Sequence, residues 1–336
     1  MGFPVSSLNS IHDYIVVGLG LVLNILLAWL ILMRSVKEML VYSKVLMQTC
    51  ILDIFLLIVI GIVQPIYVLH NGWNLLVVNG RLRTEDHPWN HIQMAAWFFV
   101  HTFSIISNSV PFVYRYFHIC RSKAMSSIPY LLMLLTCVLL LVPYMCLLTW
   151  ATYPPEIQIS INYTEVIELL GINVDPAKFR VGLMMKTDSV PWALTSGYIV
   201  TLETISYTII IVCGLKLRKF VRETMRQNRP RMVEVNRQLN RVLVLQTLLP
   251  IMELCVSLSC YLTSTLSGAG ASVFAVVFAL LPFHWIPLLN PLITILVVKP
   301  YRNFLLKPTC AKQIHSLASS RYTGNSEMHT NADARF

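Results

Sequence analysis

The stretch Met94–Tyr114, MAAWFFVHTFSIISNSVPFVY, contains no Lys, Arg, Asp or Glu, and Arg115 follows it directly. A helix needs about 20 consecutive, mostly apolar residues to cross the hydrocarbon core of a bilayer. The stretch therefore predicts a membrane-spanning helix that ends at a guanidinium group.

The composition of the whole chain agrees with a membrane environment. Of 336 residues, 56% are hydrophobic and only 12% are charged, and the mean hydropathy is +0.64. Soluble proteins carry about 25% charged residues. A soluble chain of this length would have too little polar surface to cover its core, which excludes a soluble globular protein.

Seven long apolar runs divide the chain. Only helices and closed barrels satisfy every backbone amide inside a bilayer, and the runs are continuous rather than alternating, which excludes a barrel. The sequence therefore predicts an all-α membrane protein, a seven-helix bundle. Pro65 is expected to kink the second span. The predicted spans cover residues 14–33, 42–69, 94–114, 128–151, 192–215, 242–266 and 272–298.

The basic residues predict the orientation of the bundle. Of 26 Lys and Arg, 21 lie in the segments on one side of the predicted spans, and Lys and Arg mark cytoplasmic loops. Residues 1–13 are therefore expected to be a short extracellular N-terminus, with the first span an uncleaved signal anchor and the C-terminus inside. The sequon at Asn162 lies in a predicted outer loop and is a candidate glycosylation site.

The segments predicted on the cytoplasmic side are interpreted mainly as a surface that faces the membrane. The basic residues 216–241 favour contact with anionic membrane lipids over nucleic acid, and residues 299–309 are expected to form a short interfacial helix. Residues 310–336 are polar and predicted to be a disordered cytoplasmic tail. Cys310 is a candidate for acylation or a plain free thiol. None of the eight cysteines lies in an outer loop, so no extracellular disulfide is expected.

Polar side chains within the spans form a first group of candidates, because intramembrane polar groups are costly and often functional. Asn24, Asp53 and Asn290 are predicted at comparable depth and could share one hydrogen-bonded network. Pro291 frees a backbone carbonyl one turn earlier and permits bending. The alternative is that each group only satisfies a neighbouring helix.

A second group lies in the outer halves of the third, fifth, sixth and seventh spans. Aromatic and polar side chains in an otherwise apolar cavity are typical of small-ligand sites, although aromatic residues at helical spacing also serve packing alone. The candidate ligand-binding residues are Trp97, His101, Tyr198, Glu203, Glu253, Tyr261 and His284.

Three stretches together resemble a known family. Pro111–Cys120 (PFVYRYFHIC) and Asn290–Phe304 (NPLITILVVKPYRNF) resemble the nematode seven-helix chemoreceptors of the Str superfamily, and Arg34–Ile54 is similar to its Srd branch. The similarity covers about residues 10–310. It implies a G protein-coupled odorant-type receptor in the plasma membrane of sensory neurons, in the cilium, with a small-molecule ligand, a heterotrimeric G protein as partner and no cofactor.

The resemblance also gives Arg115 a role. Taken alone, Arg115 is expected at the cytoplasmic end of the third span, where its guanidinium can reach water, lipid headgroups or a facing helix, and snorkelling would need no function. By resemblance, Arg115, Tyr114 and Tyr116 are expected at the G-protein-coupling end of the third span. Tyr114 replaces the usual acid of rhodopsin-like receptors, and Thr294 stands where they have a tyrosine. These departures argue against a detailed copy of the rhodopsin-like switch.

Other classes of protein remain as alternatives or are disfavoured. An odour-gated ion channel would place the N-terminus inside, against the charge bias, and a transporter is a further alternative. A retinal pigment would need a lysine that residues 272–298 lack. His101, His284 and Asp53 lack the paired spacing of an intramembrane zinc hydrolase, so neither an enzyme nor a metal site is expected.

Overall fold

The computed structural model describes most of the chain outside the sixth span and the C-terminal tail. The described residues are 4–34, 40–70, 72–84, 88–121, 127–152, 163–176, 178–186, 188–220, 222–223, 234, 237–238, 240–249, 251, 255 and 281–306. Of the predicted site residues, Asn162, Glu253, Tyr261 and Cys310 lie outside this part, as do residues 310–336.

Helices dominate the described residues, with one small sheet between them. Residues 240–249, which include the start of the predicted sixth span, are also helical. In chain order the elements are α1 (Val5–Arg34), α2 (Leu40–Val63), β1 (Pro65–His70), β2 (Trp73–Val78), α3 (Trp89–Ser107), α4 (Ser109–Cys120), α5 (Ser127–Ala151), α6 (Thr164–Leu170), β3 (Leu183–Lys186), α7 (Val190–Phe220), α8 (Leu281–Val297) and α9 (Lys299–Leu306).

The apolar surface of the helices fits a bilayer. Five of the described helical spans are long and apolar enough to cross a membrane, and the bent pair α8 and α9 makes a sixth candidate. Large hydrophobic side chains stay exposed along α1 and α5, for example Val22, Ile25 and Leu131. Their exposure has no cost in lipid, where these faces contact acyl chains.

Two predicted helix boundaries are wrong. The first helix begins at Val5 rather than at residue 14, so residues 5–13 belong to the helix that contains the first span. The second helix ends at Val63, and Pro65 starts a strand instead of kinking a longer helix. Proline disfavours helical geometry in the residue before it, and Gln64 has a φ of 45°.

The third span is a composite of α3 and α4. Pro111 has no N–H, so no hydrogen bond reaches back to the carbonyl of Ser107, and the helix breaks at Asn108. The carbonyl of Ile106 beside the break accepts from the hydroxyls of Ser109 and Ser206. This break lies between the outer and inner ends of the span.

The sheet forms a cap over one end of the bundle, here called the outer cap. Its three antiparallel strands lie in the order β1-β2-β3. The side chains of one face pack with α6, and those of the other pack against α3 and α5. Tyr163 is buried between the sheet and α6. Its burial raises the pKa of the phenol to about 12, and its hydroxyl donates to Met184 Sδ at 3.3 Å.

The opposite end of the bundle, here called the inner end, carries α9. This helix turns 89° from the axis of α8, as expected for a helix that lies along a membrane surface. Phe304 of α9 packs on Trp29 with ring centroids 5.3 Å apart, and the Arg34 guanidinium lies 4.4 Å from the Phe304 ring. These contacts hold α9 against the end of α1.

Candidate functional site

The predicted polar residues meet in the middle of the bundle, in what we call the inner network. Asn290 Nδ2 of α8 donates to Asp53 Oδ1 of α2 at 3.0 Å, with both side chains buried. Gln246 Nε2 donates to the carbonyl of Asn290 at 3.2 Å and to Thr294 Oγ1 at 3.1 Å. The network thus connects the second, sixth and seventh spans.

Asn24 joins the seventh span at a different atom. Because Pro291 lacks an N–H, the carbonyl of Pro287 has no partner within α8, and Asn24 Nδ2 donates to it at 2.8 Å. The structure therefore places Asn24 against the proline break and Asp53 against Asn290. Within the part of the chain described, Oδ1 of Asn24, Oδ2 of Asp53 and Oδ1 of Asn290 accept no hydrogen bond.

Arg115 does not snorkel. Its side chain is 1% exposed, so of the surroundings expected for the guanidinium the structure shows burial among neighbouring helices rather than water or headgroups. The neighbouring Tyr114 ring stacks on His118, with centroids 6.0 Å apart, and meets the Tyr130 ring edge-on at 5.1 Å. Lys216 Nζ lies 5.7 Å from the centroid of the Tyr116 ring. Packed aromatic groups therefore hold this end of α4 against α5 and α7.

An ionic contact, here called the inner latch, links the base of the sixth span to α9. Lys299 Nζ lies 2.8 Å from Glu234 Oε1, and Arg237 lies 2.6 Å from Glu234 Oε2. Gln238 Oε1 accepts from the backbone N–H of Lys299 at 3.1 Å. The hydrogen bond from Lys299 is the largest cause that lowers the pKa of Glu234 to about 2.

A polar cluster at the outer end was not predicted from the sequence. Asp13 Oδ1 lies 2.6 Å from His284 Nδ1 and 2.9 Å from His12 Nδ1. Asn9 Nδ2 donates to Asp13 Oδ2 at 3.0 Å, and Trp285 Nε1 donates to His12 Nε2 at 2.9 Å. We call these five residues the outer cluster; they join α1 to α8.

The outer cluster was missed because residues 1–13 were predicted to be a short extracellular N-terminus that precedes the first span. The signal was present in the spacing of Asn9, Asp13, Gly20 and Asn24, which are all buried along one face of α1. Continuing the 3.6-residue period of the first span towards the N-terminus would have placed Asn9 and Asp13 inside the bundle.

Three of the predicted ligand-binding residues meet beside the outer cluster. Trp97 stacks on His101 with ring centroids 5.3 Å apart, and its ring lies 6.3 Å from that of His284 at 84°. Phe283 lies 5.1 Å from His101. Among the described residues, Trp97 Nε1 and His284 Nε2 have no hydrogen-bond partner although both side chains are buried.

The remaining described candidates lie on α7. The Tyr198 hydroxyl donates to the carbonyl of Leu140 at 2.9 Å, so this side chain faces α5. Glu203 is half-buried on the same helix. A role in ligand binding stays a prediction for both residues.

A cavity of about 470 Å³ opens between α2 and α3. Val59 and Val63 of α2 and Ile92 and Ala96 of α3 line it, together with Leu82 of the connecting loop. Leu82 and Ile92 are exposed on the apolar surface of the bundle. The cavity therefore opens towards the lipid side.

Apolar spans around a buried polar network place the chain in the class of polytopic helical membrane proteins. Its fold is similar to that in the crystal structure of squid rhodopsin, with a TM-score of 0.59 at 11% identity, covering 91% of this chain and 86% of that one. The seven-helix, receptor-like fold expected from the sequence is thereby confirmed, and the outer cap adds a small sheet to it.

The chain belongs to the Str family of serpentine chemoreceptors. The family described as "Serpentine type 7TM GPCR chemoreceptor Str" matches residues 9–306. The protein "Serpentine receptor class r-10" of Caenorhabditis briggsae is 25% identical over 327 residues, which cover 91% of each chain. The expected superfamily is confirmed, and it is a family of receptors rather than of enzymes. Placement in the Srd branch stays a prediction.

Proposed function

We propose that this chain is a chemosensory receptor of the plasma membrane, located in the cilium of sensory neurons, that couples a small ligand to a heterotrimeric G protein. Family membership supports the receptor role. The observation that carries the coupling is the inner network, in which Asn290 contacts both Asp53 and Gln246 beside the break at Pro291. Three spans share these few hydrogen bonds, so a change in one span alters the other two.

The ligand is proposed to bind at the outer end, beside Trp97, His101 and His284. A ligand can shift the bundle only by binding one conformation more tightly than the other. The inner network lies between this group and Arg115, and the prolines at 287 and 291 leave α8 with missing backbone hydrogen bonds. Bending of α8 at these prolines would rearrange the contacts of Asp53 and Gln246.

At the inner end, the active state is proposed to separate the sixth span from α4 and expose Arg115. The guanidinium, with Tyr114 and Tyr116, would then contact the G protein. In the structure described above Arg115 is buried, so this surface would form only after the separation.

The test is a ligand panel read out through calcium or cyclic nucleotide in cells that express wild type or Arg115→Ala. We expect normal surface delivery and loss of signalling in Arg115→Ala. Arg121→Ala is the matched control, because Arg121 is exposed one residue beyond α4 and should signal normally. Full signalling by Arg115→Ala would remove Arg115 from the mechanism. Ligand-gated current without a G protein would favour the ion-channel alternative.

The orientation has its own test at Asn162. A glycan there requires the loop before α6 to face outside, so digestion with a glycosidase should change the mobility of wild type but not of Asn162→Gln. Epitope tags at both termini provide the independent measurement. An N-terminal tag accessible only in permeabilised cells would contradict the proposed topology.

A further inference from the structure

Three side chains of the outer cluster are of types that can bind a metal ion, and their potential ligand atoms lie close together. The ligand atoms of His12, Asp13 and His284 all lie within 4.8 Å of one another. The Nδ1 atoms of both imidazoles contact the same carboxylate oxygen, at 2.6 and 2.9 Å. Two imidazole nitrogens and a carboxylate oxygen are a donor set that zinc sites use.

The hydrogen bonds indicate which nitrogen of each imidazole carries a proton. Trp285 Nε1 can only donate, so His12 Nε2 accepts from it and carries no proton. The proton of neutral His12 is therefore on Nδ1, where it is donated to Asp13. The same direction holds for His284, since its Nδ1 also contacts the carboxylate.

We propose that the outer cluster binds a divalent transition-metal ion of the zinc type through Nδ1 of His12, Nδ1 of His284 and Oδ1 of Asp13. Bonds of about 2.0 Å in a tetrahedral site place the donor atoms about 3.3 Å apart. The two contacts at 2.6 and 2.9 Å therefore need to open by about 0.7 and about 0.4 Å to reach this spacing. The fourth position is left for water or a ligand atom.

Binding changes the protons in a defined way. Each Nδ1 gives up its proton to bind the metal, and each neutral imidazole then carries its proton on Nε2. A protonated Nε2 of His12 cannot accept from Trp285, so that hydrogen bond must break. Trp285 can turn away because it is 42% exposed, and the partly exposed His12 marks the side from which the ion enters.

The surrounding residues support the site. Asn9 donates to Oδ2 of Asp13, which orients the carboxylate and leaves Oδ1 for the metal. Such outer contacts are common around metal ligands, and their loss typically weakens metal affinity by about 10–100-fold. Calcium and magnesium prefer sites built only from oxygen, so the two imidazoles select against them. The site joins α1 to α8 and does not depend on the proposed signalling function.

The experiment is calorimetric titration of Zn²⁺ into the full-length protein, purified in detergent without a polyhistidine tag. We expect one zinc ion per chain and no heat from Ca²⁺. His12→Ala and Asn9→Ala should each bind Zn²⁺ at least about tenfold more weakly. Trp285→Phe should bind at least as tightly as wild type, because no hydrogen bond has to break. His118→Ala, at the inner end, is the matched control and should bind normally.

Two results would overturn the proposal. One is the absence of Zn²⁺ binding by folded wild type, and the other is equal binding by wild type and His12→Ala. His12 is partly exposed, so its substitution is a milder test of folding than substitution of the fully buried His284. Thermal denaturation of each variant verifies that it is folded. Because no signalling is measured, failure here leaves the receptor proposal intact.

Discussion

Asp13 Oδ1 of α1 lies 2.6 Å from His284 Nδ1 of α8, and both side chains are fully buried. Removing one partner of a buried pair typically costs about 3–5 kcal/mol, because the other polar group is left uncompensated. We expect Asp13→Leu and His284→Leu each to lower the thermal midpoint in detergent. The double variant should lose less than the sum of the two. Additive losses would show that the two groups do not interact.

The hydrogen bond between Asn290 and Asp53 is expected to contribute to the thermal stability of the protein. Asn290→Leu leaves a buried carboxylate oxygen without its donor, and an unsatisfied buried group costs about 1–3 kcal/mol. The thermal midpoint of this variant should fall. Asn303→Leu on α9 is the control, because Asn303 is exposed and its replacement should leave the midpoint near that of wild type. Equal midpoints for wild type and Asn290→Leu would contradict the network.

The inner latch should restrain the sixth span. Glu234→Gln and Lys299→Gln each remove one charge of the 2.8 Å contact, so both should raise ligand-independent signalling at equal surface expression. Exchanging the charges, with Glu234→Lys and Lys299→Glu together, should return signalling towards wild type. Glu223→Gln is the control, because the Arg222–Glu223 contact is exposed and 4.0 Å long.

The latch also has a defined pH range. The pKa of Glu234 is lowered from an ordinary value of 4.5 to about 2. The stabilisation it provides is therefore complete above pH 4.5 and is lost as the pH falls from there towards 2. The inner latch therefore predicts no change in the signalling of wild type between pH 6 and 8. A change in this range that Glu234→Gln abolishes would contradict the assignment.

Tyr163 predicts alkaline opening of the outer cap. Its pKa is raised from 10 to about 12 by burial, so the folded cap favours the protonated phenol. The stabilisation is complete below pH 10 and is lost as the pH rises through 12. Hydrogen exchange of β2 and β3 should accelerate over this range, after correction for the intrinsic rate. Tyr163→Phe should remove the dependence; the same acceleration in Tyr163→Phe would assign it to another group.

The parts of the fold that could be predicted follow from bilayer physics. Long apolar runs such as residues 94–114 define spans whatever their packing, and Asp53 and Asn290 stood out because polar groups in such runs are rare. Which side chains of these spans are buried depends on how the helices pack against one another. The sequence left Arg115 with water, headgroups or a facing helix as possible surroundings, and only the arrangement of the neighbouring helices shows that it is buried.

In the outer cap, the turn residues of the sequence predict a different structure from its hydropathy. Residues 64–69 extend an apolar run, so a window of hydrophobicity continues the second helix through them. The local chemistry points elsewhere, since Pro65 disfavours helix at Gln64 and Asn71-Gly72 is typical of a two-residue hairpin turn. Gly72 indeed has a φ of 77°. Turn residues were therefore the better guide at the membrane boundary.

Because both faces of the outer cap are buried, the cap also affects whether a compound enters the bundle from water or from the bilayer. Over the end of α3, a molecule dissolved in water meets packed protein, whereas one dissolved in the bilayer meets the apolar opening between α2 and α3. Compounds that enter this cavity are sorted first by their partition coefficient between water and oil. Solubility in oil would then set the concentration of a compound in the cavity before any side chain discriminates between compounds.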